Sequence, residues 1–482
     1  MPYNNLREFI AALEQAGELK RIGVEVDPKL EITEIADRVV KAGGPALLFE
    51  HAKGFNMPVL INAYGSRRRM RMALGAETIS HITENYLALM DRGGGLTFME
   101  KLKLLPKLKE IGDAFPREVK KAPCQEIVVE HPSFYDFPIL TTWPKDGGPY
   151  ITLPMVFSRD PDADRINCGM YRMQIYEERA AGMHWQIHKG GAHHERAARR
   201  KGLTRIPVSV TVGCDPVSVF ASICPIPPDM DEMMFAGLLR GKPIEVVRCK
   251  TNDLLVPAQA EIVFEGYVDF EDMRLEGPFG DHTGFYSLAD MYPTFHLTCV
   301  THRRDPIYMA TVVGRPPMED CYMGEAVGDL FTPLMKKILP EIEDMHMPFE
   351  GVFHNMMLVS MRKEYPGHAR KVMHAIWGMG QAMTTKVIVV VDAGTDLRNY
   401  SEVVWKVLNH IDPQRDMEFV LGPVDTLDHA SRLPNYGSKV GIDATSKNGE
   451  EGFTRDWPDE MVMDESVKKR VDEIWKTLNI RG

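Results

Sequence analysis

The sequence lacks the features of a membrane-spanning or disulfide-bonded protein. No uncharged apolar run approaches the roughly 18 residues that a membrane-spanning helix needs, and the first residues, MPYNNLREF, show no basic segment followed by an apolar one. The seven cysteines are far apart and form no C-x-x-C pair. This pattern predicts reduced thiols in a cytoplasmic protein rather than a disulfide framework or a thiolate zinc site.

Basic residues are also fewer than acidic residues. The chain has 57 lysines and arginines against 68 acidic residues, which gives a formal net charge of −11. Such a balance disfavours a broad electrostatic grip on nucleic acid or anionic lipid. We therefore expect no nucleic-acid partner and no transmembrane segment, and we leave peripheral membrane contact open.

Three common catalytic motifs are missing as well. The sequence contains no G-x-x-x-x-G-K-[ST] phosphate loop, no G-x-G-x-x-G after a strand and no G-x-S-x-G nucleophile turn. Their absence argues against a P-loop nucleotide hydrolase, a Rossmann dehydrogenase and an α/β-hydrolase.

The composition that remains is that of a folded protein with several domains. With 482 residues, 44% of them hydrophobic, the chain is long enough for about three domains. Residues 1–120 alternate helical and strand-like patterns, residues 121–316 carry recurrent short β-branched runs that end with 307–313, and residues 317–482 return to an α/β pattern. We predict an α/β multidomain fold with a mainly antiparallel sheet or barrel in the middle.

Local patterns give individual elements. Asn4 or Asn5 can cap a helix whose apolar stripe starts at Leu6, and Gly17 stops it. A buried strand is predicted at 387–391 and a helix at 400–410. The run Arg67, Arg68, Arg69 and Arg71 could hold a phosphate, but a run of charge is usually a solvated face, which we favour.

Glu276 and Asp281 are the first candidates for acid–base chemistry. They lie five residues apart in a loop rich in glycine and proline, EGPFGDHTGFY, and such a loop can bend two carboxylates towards one point. Neighbouring carboxylates, or a carboxylate beside an arginine, have pKa values that are pushed apart. The alternative is an ordinary turn with solvated acids, in which His282 only caps the turn or fills space.

Histidines are the first candidates for a metal site. Four of them lie between positions 184 and 194, and His184 and His188 are four residues apart, but Trp185 breaks the H-E-x-x-H pattern. His193 and His194 are flanked by basic residues, which favours exposure. An amide such as Asn167 with an imidazole and a carboxylate would suit Mg²⁺ or Mn²⁺, although spacing does not say which three groups converge.

Several longer segments point to a family. They are NCGMYR (167–172), WQIHKGG (185–191), EMMFAGLLRG (232–241) and EGPFGDHTGFY (276–286), with supporting segments such as LREF near the start and GSKVGIDAT at 437–445. Together they resemble the UbiD family of prenylated-FMN-dependent decarboxylases, with the greatest similarity to the polyprenyl-4-hydroxybenzoate decarboxylase branch. The resemblance extends over nearly the whole chain.

The resemblance implies an architecture and its ligands. It implies an N-terminal α/β domain, a central split β-barrel like those of flavin reductases, and a C-terminal α/β oligomerisation domain that forms a homodimer or homohexamer. Asn167, His188 and Glu232 match the family's ligands for Mn²⁺ or Mg²⁺, with K⁺ nearby. A flavin prenyltransferase would supply the prenylated FMN. The positions that match cofactor-binding residues are Asn167, Met170, Tyr171, Arg172, His184, Trp185, Gln186, His188, Lys189, Gly190 and Lys386.

The resemblance also implies an activity. Arg172, Glu276 and Asp281 match the family's catalytic set, with Asp281 as the proton donor. The expected reaction is reversible, non-oxidative decarboxylation of an aromatic, hydroxylated carboxylic acid. Alternatives are a carboxylase running in the opposite direction, a non-catalytic subunit of a carboxylase complex, which would be expected to have lost one of these three residues, and a plain flavin-binding redox module.

Overall fold

The computed structural model describes residues 3–91, 112, 114–186, 189–227 and 230–478. They form a three-domain architecture of mixed α/β content, and the three parts are described in turn. None of the helices in these ranges is long and apolar enough to cross a membrane. All seven cysteines are buried free thiols, as the spacing predicts.

The N-terminal part is a small α/β layer. Its elements are α1 (Leu6–Gln15), β1 (Leu19–Val26), α2 (Glu31–Lys41), β2 (Ala46–Ala52), β3 (Val59–Ile61), α3 (Arg67–Leu74) and α4 (Ser80–Asp91). Asn5 caps α1 by accepting the Glu8 N–H at 2.9 Å, which confirms the predicted helix start. The sheet has the order β1-β2-β3-β16, where β16 is Tyr308–Met309.

Strand β16 corrects one prediction. The run 307–313 was expected to form another strand of the middle sheet, but only two of its residues are in a strand, and they pair in parallel with β3 of the N-terminal sheet. The middle of the chain therefore completes the N-terminal layer.

The arginine run on α3 is a solvated face at three of its four positions, and Arg69 is the exception. Arg69 is only 1% exposed, and its Nη1 donates to Glu18 at 3.0 Å and to the Gly44 carbonyl at 3.1 Å. Arg67 forms a bidentate ion pair with Glu325, with N–O distances of 2.7 and 2.8 Å. Arg67, Arg68 and Arg69 join α3 to neighbouring elements through carboxylates that are distant in sequence. The Nε of Arg71 donates to the Arg67 carbonyl on the same helix.

The central part is built on antiparallel strands. Its elements are β4 (Arg117–Glu118), β5 (Ile127–Val129), β6 (Tyr150–Ile151), β7 (Met155–Arg159), β8 (Ile166–Met170), β9 (Met173–Glu177), β10 (Ala180–Gly182), α5 (Gly190–Arg200), β11 (Arg205–Val212), α6 (Pro216–Ala221), α7 (Glu232–Arg240), β12 (Glu245–Arg248), β13 (Leu255–Pro257), β14 (Ile262–Glu276) and β15 (Asp290–His302).

Nine of these strands form one sheet. Its order is β6-β9-β10-β15-β14-β11-β7-β8, with β5 added on β15, and a separate small sheet joins β13, β12 and β4. Within the described ranges the end strands β6 and β8 do not pair with each other, so the sheet is not a closed barrel. The long pair β14 and β15 shifts register at two places, which bends the sheet and brings its far end towards the C-terminal part.

The C-terminal part is a second α/β layer. Its elements are α8 (Glu319–Ile338), β17 (Ile342–His346), β18 (Met356–Met361), α9 (His368–Trp377), β19 (Val387–Asp392), α10 (Tyr400–His410), α11 (Pro413–Asp416), β20 (Met417–Pro423), β21 (Tyr436–Ala444) and α12 (Glu465–Trp475). The predicted strand at 387–391 and helix at 400–410 are confirmed. Five strands follow the order β17-β18-β19-β21-β20, with parallel pairs in the middle and antiparallel edges.

The apolar cores follow this division in part. One large core runs through the N-terminal and central parts, from Leu6 on α1 to Leu330 on α8. The C-terminal sheet has two smaller cores, one on each face. The first two parts are thus packed as a single unit, and the C-terminal layer is packed largely within itself.

Candidate active site

Glu276 and Asp281 are held at the end of the long strand pair. Glu276 is the last residue of β14 and pairs with Asp290 of β15. Gly277 follows at φ 102°, a backbone conformation that residues with a Cβ rarely adopt. The chain therefore turns directly after Glu276, and the following loop brings Asp281 back beside the end of β14.

Arg172 lies between the two carboxylates. It is two residues beyond the end of β8, and its Nε donates to Oε1 of Glu276 at 3.0 Å. Its Nη1 donates to Oδ2 of Asp281, and its Nη2 donates to Oγ of Ser287 at 3.2 Å. The other oxygen of Glu276 is bonded to Nδ1 of His184. We call Arg172, His184, Glu276 and Asp281 the carboxylate cluster.

The carboxylate cluster is shielded from water. Glu276 is 1% and Asp281 6% exposed, so the solvated turn is the wrong interpretation of this loop. Burial opposes the ionisation of both acids, but Arg172 and hydrogen bonds from His184 and His282 outweigh it and hold the pKa of each carboxyl below its ordinary value. Burial and the Arg172 charge lower the pKa of His184. Both acids are therefore ionised at neutral pH.

Aromatic rings and a glutamine fix this geometry. The Arg172 guanidinium carbon lies 4.6 Å from the centre of the Phe279 ring, and the His184 ring lies 4.3 Å from that of Tyr292. Gln174 accepts the Gly277 N–H at 2.7 Å and the Tyr150 hydroxyl at 3.0 Å. The loop that carries Asp281 is thus tied to β9, because Gln174 belongs to that strand.

Asn167, Tyr171, Trp185, Gly190 and Glu232 form a second group, which we call the amide cluster. The Tyr171 hydroxyl accepts the Gly191 N–H at 3.1 Å, and Glu232, the first residue of α7, accepts the Cys168 N–H at 2.9 Å. A Cβ on Gly190 would lie 2.1 Å from Oδ1 of Asn167. Glycine is therefore required where α5 begins against β8.

The two clusters are built from neighbouring residues of the chain. Tyr171 precedes Arg172 in the chain, and His184 precedes Trp185, so each pair sends one side chain to each cluster. In the amide cluster, the Asn167 Nδ2 and Trp185 Nε1 are buried and have no hydrogen-bond partner in the described part of the chain. Burial raises the pKa of Glu232 to about 7. Polar groups in this state indicate a binding site for an additional group.

The remaining predicted residues lie around these clusters. The Lys189 Nζ donates to Gln381 at 2.7 Å, and Met170 and Gln186 are half-buried. The Lys386 Nζ donates to Asp428 at 2.8 Å, and the next residue, His429, packs on Phe285 at 4.4 Å between ring centres. Lys386 is therefore close to the Asp281 loop without joining either cluster. His188 lies outside the described residues.

A third polar group is formed by Asp160, His193 and His194, each of which places one ligand-type atom within 4.8 Å of the others. His193 is exposed as predicted, but His194 is only 5% exposed. Its Nδ1 lies 2.9 Å from Oγ of Ser158, so the ring has a polar partner inside the protein. The basic residues beside it in the sequence predicted exposure and gave no sign of this partner.

Sequence reasoning missed a histidine pair beside Asp281. Oδ1 of Asp281 accepts the backbone N–H of His282 at 2.8 Å, and it lies 2.9 Å from Nδ1 of the same residue. Nε2 of His282 lies 2.7 Å from Nε2 of His354. His282 was considered only as a filler. His354 stands in FHNMM, a segment without any motif, so no local signal marks it.

Comparisons with known proteins agree with this arrangement. Residues 10–86, 117–316 and 321–444 match the N-terminal, Rift-related and C-terminal domains of 3-octaprenyl-4-hydroxybenzoate carboxy-lyase, UbiD. An uncharacterized protein of Archaeoglobus fulgidus is 49% identical over 479 residues, 99% of each chain.

Two solved structures cover almost the same length. The closed form of vanillic acid decarboxylase from Sedimentibacter hydroxybenzoicus is 26% identical over 100% of both chains, with a TM-score of 0.86. An evolved dimeric form of the UbiD-class enzyme HmfF from Pelotomaculum thermopropionicum, in complex with prFMN, is 26% identical over 97% of this chain and 98% of that one, with a TM-score of 0.79. The chain therefore belongs to the UbiD family of carboxy-lyases.

Proposed function

We propose that this protein catalyses the non-oxidative decarboxylation of a hydroxylated aromatic carboxylic acid with the help of prenylated FMN. The observation that carries the proposal is the carboxylate cluster, in which one buried arginine, Arg172, holds two ionised acids of different surroundings. Asp281 is the proton donor in this proposal, and Glu276 is the acid that His184 and Arg172 keep ionised.

The amide cluster fits the phosphate end of a flavin nucleotide. Helix α5 begins at Gly190 without a side-chain cap. The Gly191 N–H donates to Tyr171, and the positive end of the helix dipole would still favour an anion at this helix start. Asn167 Nδ2 and Trp185 Nε1 are buried donors without partners in the described ranges. Lys189, next to the helix start, adds a positive charge. Met170, Tyr171, Gln186 and Lys386 complete the proposed cofactor contacts.

The same cluster fits a divalent cation. Glu232 is a buried carboxylate whose pKa is raised to about 7 by burial, and a cation beside it would remove the cost of its ionisation. Carboxylate, amide oxygen and imidazole suit Mn²⁺ or Mg²⁺ better than a thiolate-bound metal. We assign Asn167, Glu232 and His188 as its ligands, with K⁺ nearby, as the family resemblance implies.

The residues of the chain supply the acid–base part of the reaction. When bound, the prenylated flavin supplies the electron sink that loss of carbon dioxide from an sp² carbon requires. Arg172 stabilises the anionic substrate beside the two acids. Asp281 takes up a proton and then gives it to the carbon from which carbon dioxide leaves. Glu276 stays ionised and keeps Arg172 and His184 in place.

Finer points of the proposal concern direction, assembly and location. The reverse reaction, carboxylation of an aromatic compound, would use the same residues at high carbon dioxide concentration. A non-catalytic subunit is the weaker alternative, because Arg172, Glu276 and Asp281 are all present and bonded together. We further propose that the central sheet is a split β-barrel of flavin-reductase type, and that the protein is a cytoplasmic homodimer or homohexamer supplied by a flavin prenyltransferase.

The test is carbon dioxide release by protein co-expressed with a flavin prenyltransferase. The protein is offered hydroxybenzoic acids, other aromatic acids and acrylic acids, and the mass of the bound cofactor is measured in the same preparation. Release from hydroxylated aromatic acids with a prenylated flavin bound is the expected result. An unprenylated flavin with redox activity and no release would contradict the proposal in favour of a flavin-binding redox module.

A further inference from the structure

Asp160, His193 and His194 bring two segments of the central part to one point. Asp160 directly follows β7, and the two histidines lie in the first turns of α5. Each of the three residues places one ligand-type atom within 4.8 Å of the other two. Imidazole and carboxylate are common metal ligands, so this convergence raises the question of whether the group holds an ion.

The three ligand atoms are close enough for one ion to reach them all. Three points that are at most 4.8 Å apart have a common point within about 2.8 Å of each, which is 4.8 Å divided by √3. Bonds from Zn²⁺ to imidazole nitrogen and carboxylate oxygen are about 2.0–2.2 Å long. Closing the group on an ion therefore needs movements below about 1 Å, and His193 can supply them because it is exposed.

Two of the three groups are held inside the protein. Asp160 is 7% and His194 5% exposed. Burial lowers the pKa of His194 to about 4, against the raising effect of the Asp160 charge. The ring is therefore uncharged at neutral pH and has one nitrogen with a free lone pair, which is the form of imidazole that binds a metal.

Hydrogen bonds to residues outside the group orient two of its members. Nδ1 of His194 lies 2.9 Å from Oγ of Ser158, and Oδ1 of Asp160 accepts the Asp162 N–H at 2.8 Å. Histidines and carboxylates that bind metals commonly have such partners, which fix the ring or the carboxyl group. The bonds engage one nitrogen and one oxygen, so a metal would use the other atom of each group.

The charges around the group allow a cation to bind. Arg200 and Lys201, at the end of α5, are both engaged by Asp162, with N–O distances of 2.9 and 3.2 Å. Arg165 is exposed, so solvent screens its charge. The Asp160 carboxylate supplies negative charge beside the two imidazole rings.

We propose that Asp160, His193 and His194 bind a divalent transition-metal ion, with Zn²⁺ as the best match. Two imidazoles and one carboxylate suit Zn²⁺ and its neighbours among the transition metals better than Mg²⁺ or Ca²⁺, and water fills the fourth position. The ion holds the first turns of α5 against the end of β7. None of the three residues belongs to the carboxylate cluster or the amide cluster, so the inference does not depend on the proposed decarboxylation.

The test measures Co²⁺ binding by the full chain without cofactor. Co²⁺ can replace Zn²⁺, and it absorbs visible light much more strongly in a four-coordinate site than in a six-coordinate one. We expect a four-coordinate spectrum that added Zn²⁺ abolishes by displacement. The variant His193→Ala should bind Co²⁺ more than about tenfold more weakly, because losing a residue that only orients a ligand already costs about 10–100-fold. Since His193 is exposed, this variant should fold.

Two further variants show where the signal arises. The control His81→Ala removes another exposed histidine that lies near a carboxylate, Glu84, at 3.8 Å, and it should bind Co²⁺ like the wild type. Glu232→Gln removes the carboxylate of the amide cluster, where the proposed Mn²⁺ or Mg²⁺ would bind, and it should keep the four-coordinate spectrum.

Four results would overturn the inference. They are a wild-type chain without a four-coordinate Co²⁺ spectrum, wild-type affinity in His193→Ala, loss of the spectrum in Glu232→Gln, and equal weakening in His81→Ala, which would show binding by surface histidines in general. Because binding is measured without substrate or cofactor, the metal site and the proposed function can fail separately.

Discussion

The carboxylate cluster of the central part and the exposed apolar residues on α10 and β20 of the C-terminal part are two unfavourable placements of side chains, of different kinds. The central part buries charge: Glu276 is 1% exposed and Asp281 6%. The C-terminal part exposes apolar side chains: Leu408 on α10 is 72% exposed and Phe419 on the edge strand β20 is 70% exposed.

The difference shows what each part lacks. A buried carboxylate is costly unless it is paired, and Arg172 supplies that pairing while leaving the acids close enough to act on a ligand. A large exposed apolar patch is typical of a surface that another molecule covers. The carboxylate cluster is therefore where the proposed substrate would bind, and the exposed apolar residues of α10 and β20 are where the proposed homo-oligomer would form its interface.

Replacing Arg172 by glutamine should have the largest effect, because it leaves two buried acids without their cation. We expect the free energy of unfolding to fall by about 3–5 kcal/mol and decarboxylation to be lost. Urea unfolding of the cofactor-free chain measures the first effect. The control is Arg38→Gln on α2, whose partner Glu34 is more than half exposed and whose loss should change stability little. Equal stability of the two variants would contradict the pairing.

Replacing Asp281 by asparagine should affect chemistry more than binding. Asparagine has nearly the same shape but cannot donate an acidic proton, so we expect carbon dioxide release to fall about 10²–10⁴-fold while the cofactor stays bound. The control is Asp272→Asn on β14, an acid paired with Arg274 near the surface, which should stay active. Undiminished release by the Asp281 variant would remove it as proton donor.

Local signals explain which parts of the fold could be predicted. The cap of α1 at Asn5, the strand at 387–391 and the helix at 400–410 depend on neighbours within a few residues, and the structure has all three. The loop from Glu276 to Asp281 could also be recognised, because its glycine and proline content and its two acids are contiguous.

Non-local partners explain the rest. Arg69 is buried because Glu18, 51 residues earlier, faces it, and no property of the run Arg67–Arg71 contains that information. Strand β16 joins the N-terminal sheet because β3 is available there. His354 lies beside His282 only because the fold brings the C-terminal part to the Asp281 loop. In each case the contact that decides the structure joins residues far apart in the sequence, whereas helix and strand patterns depend on residues within a few positions of one another.

Charge on the exposed apolar face should change assembly without changing the fold. Phe419 and Leu421 are exposed on β20, and we expect the double variant Phe419→Glu with Leu421→Glu to be smaller in solution than the wild type, because buried interface anchors contribute about 2 kcal/mol or more each. Light scattering after size-exclusion chromatography measures the mass. Leu203→Glu, at an equally apolar but isolated position of the central part, should leave it unchanged. A wild-type mass for the double variant would place the interface elsewhere.

The smallest expected effect is a pH-dependent difference in stability between the wild type and Asp281→Asn, both without cofactor. The pKa of Asp281 is lowered by Arg172 and His282 against the opposing effect of burial, so its stabilisation is present above the ordinary value near 3.9 and is lost as pH falls through the lowered pKa. Burial is the largest single influence on the pKa of His282 and lowers it, but Asp281, Asp320 and Asp425 together outweigh burial and raise this pKa. The stabilisation by His282 is therefore present below about pH 6.5 and is lost as pH rises through the raised pKa. Asparagine removes both effects at once. The difference in unfolding free energy should therefore be greatest between about pH 4 and 6.5 and decline on either side, at about 1.4 kcal/mol for each unit of pKa shift.

A difference that stayed constant from pH 3 to 9 would mean that Asp281 and His282 are not coupled in the folded chain, since only their mutual interaction makes one substitution act on both limbs of the profile.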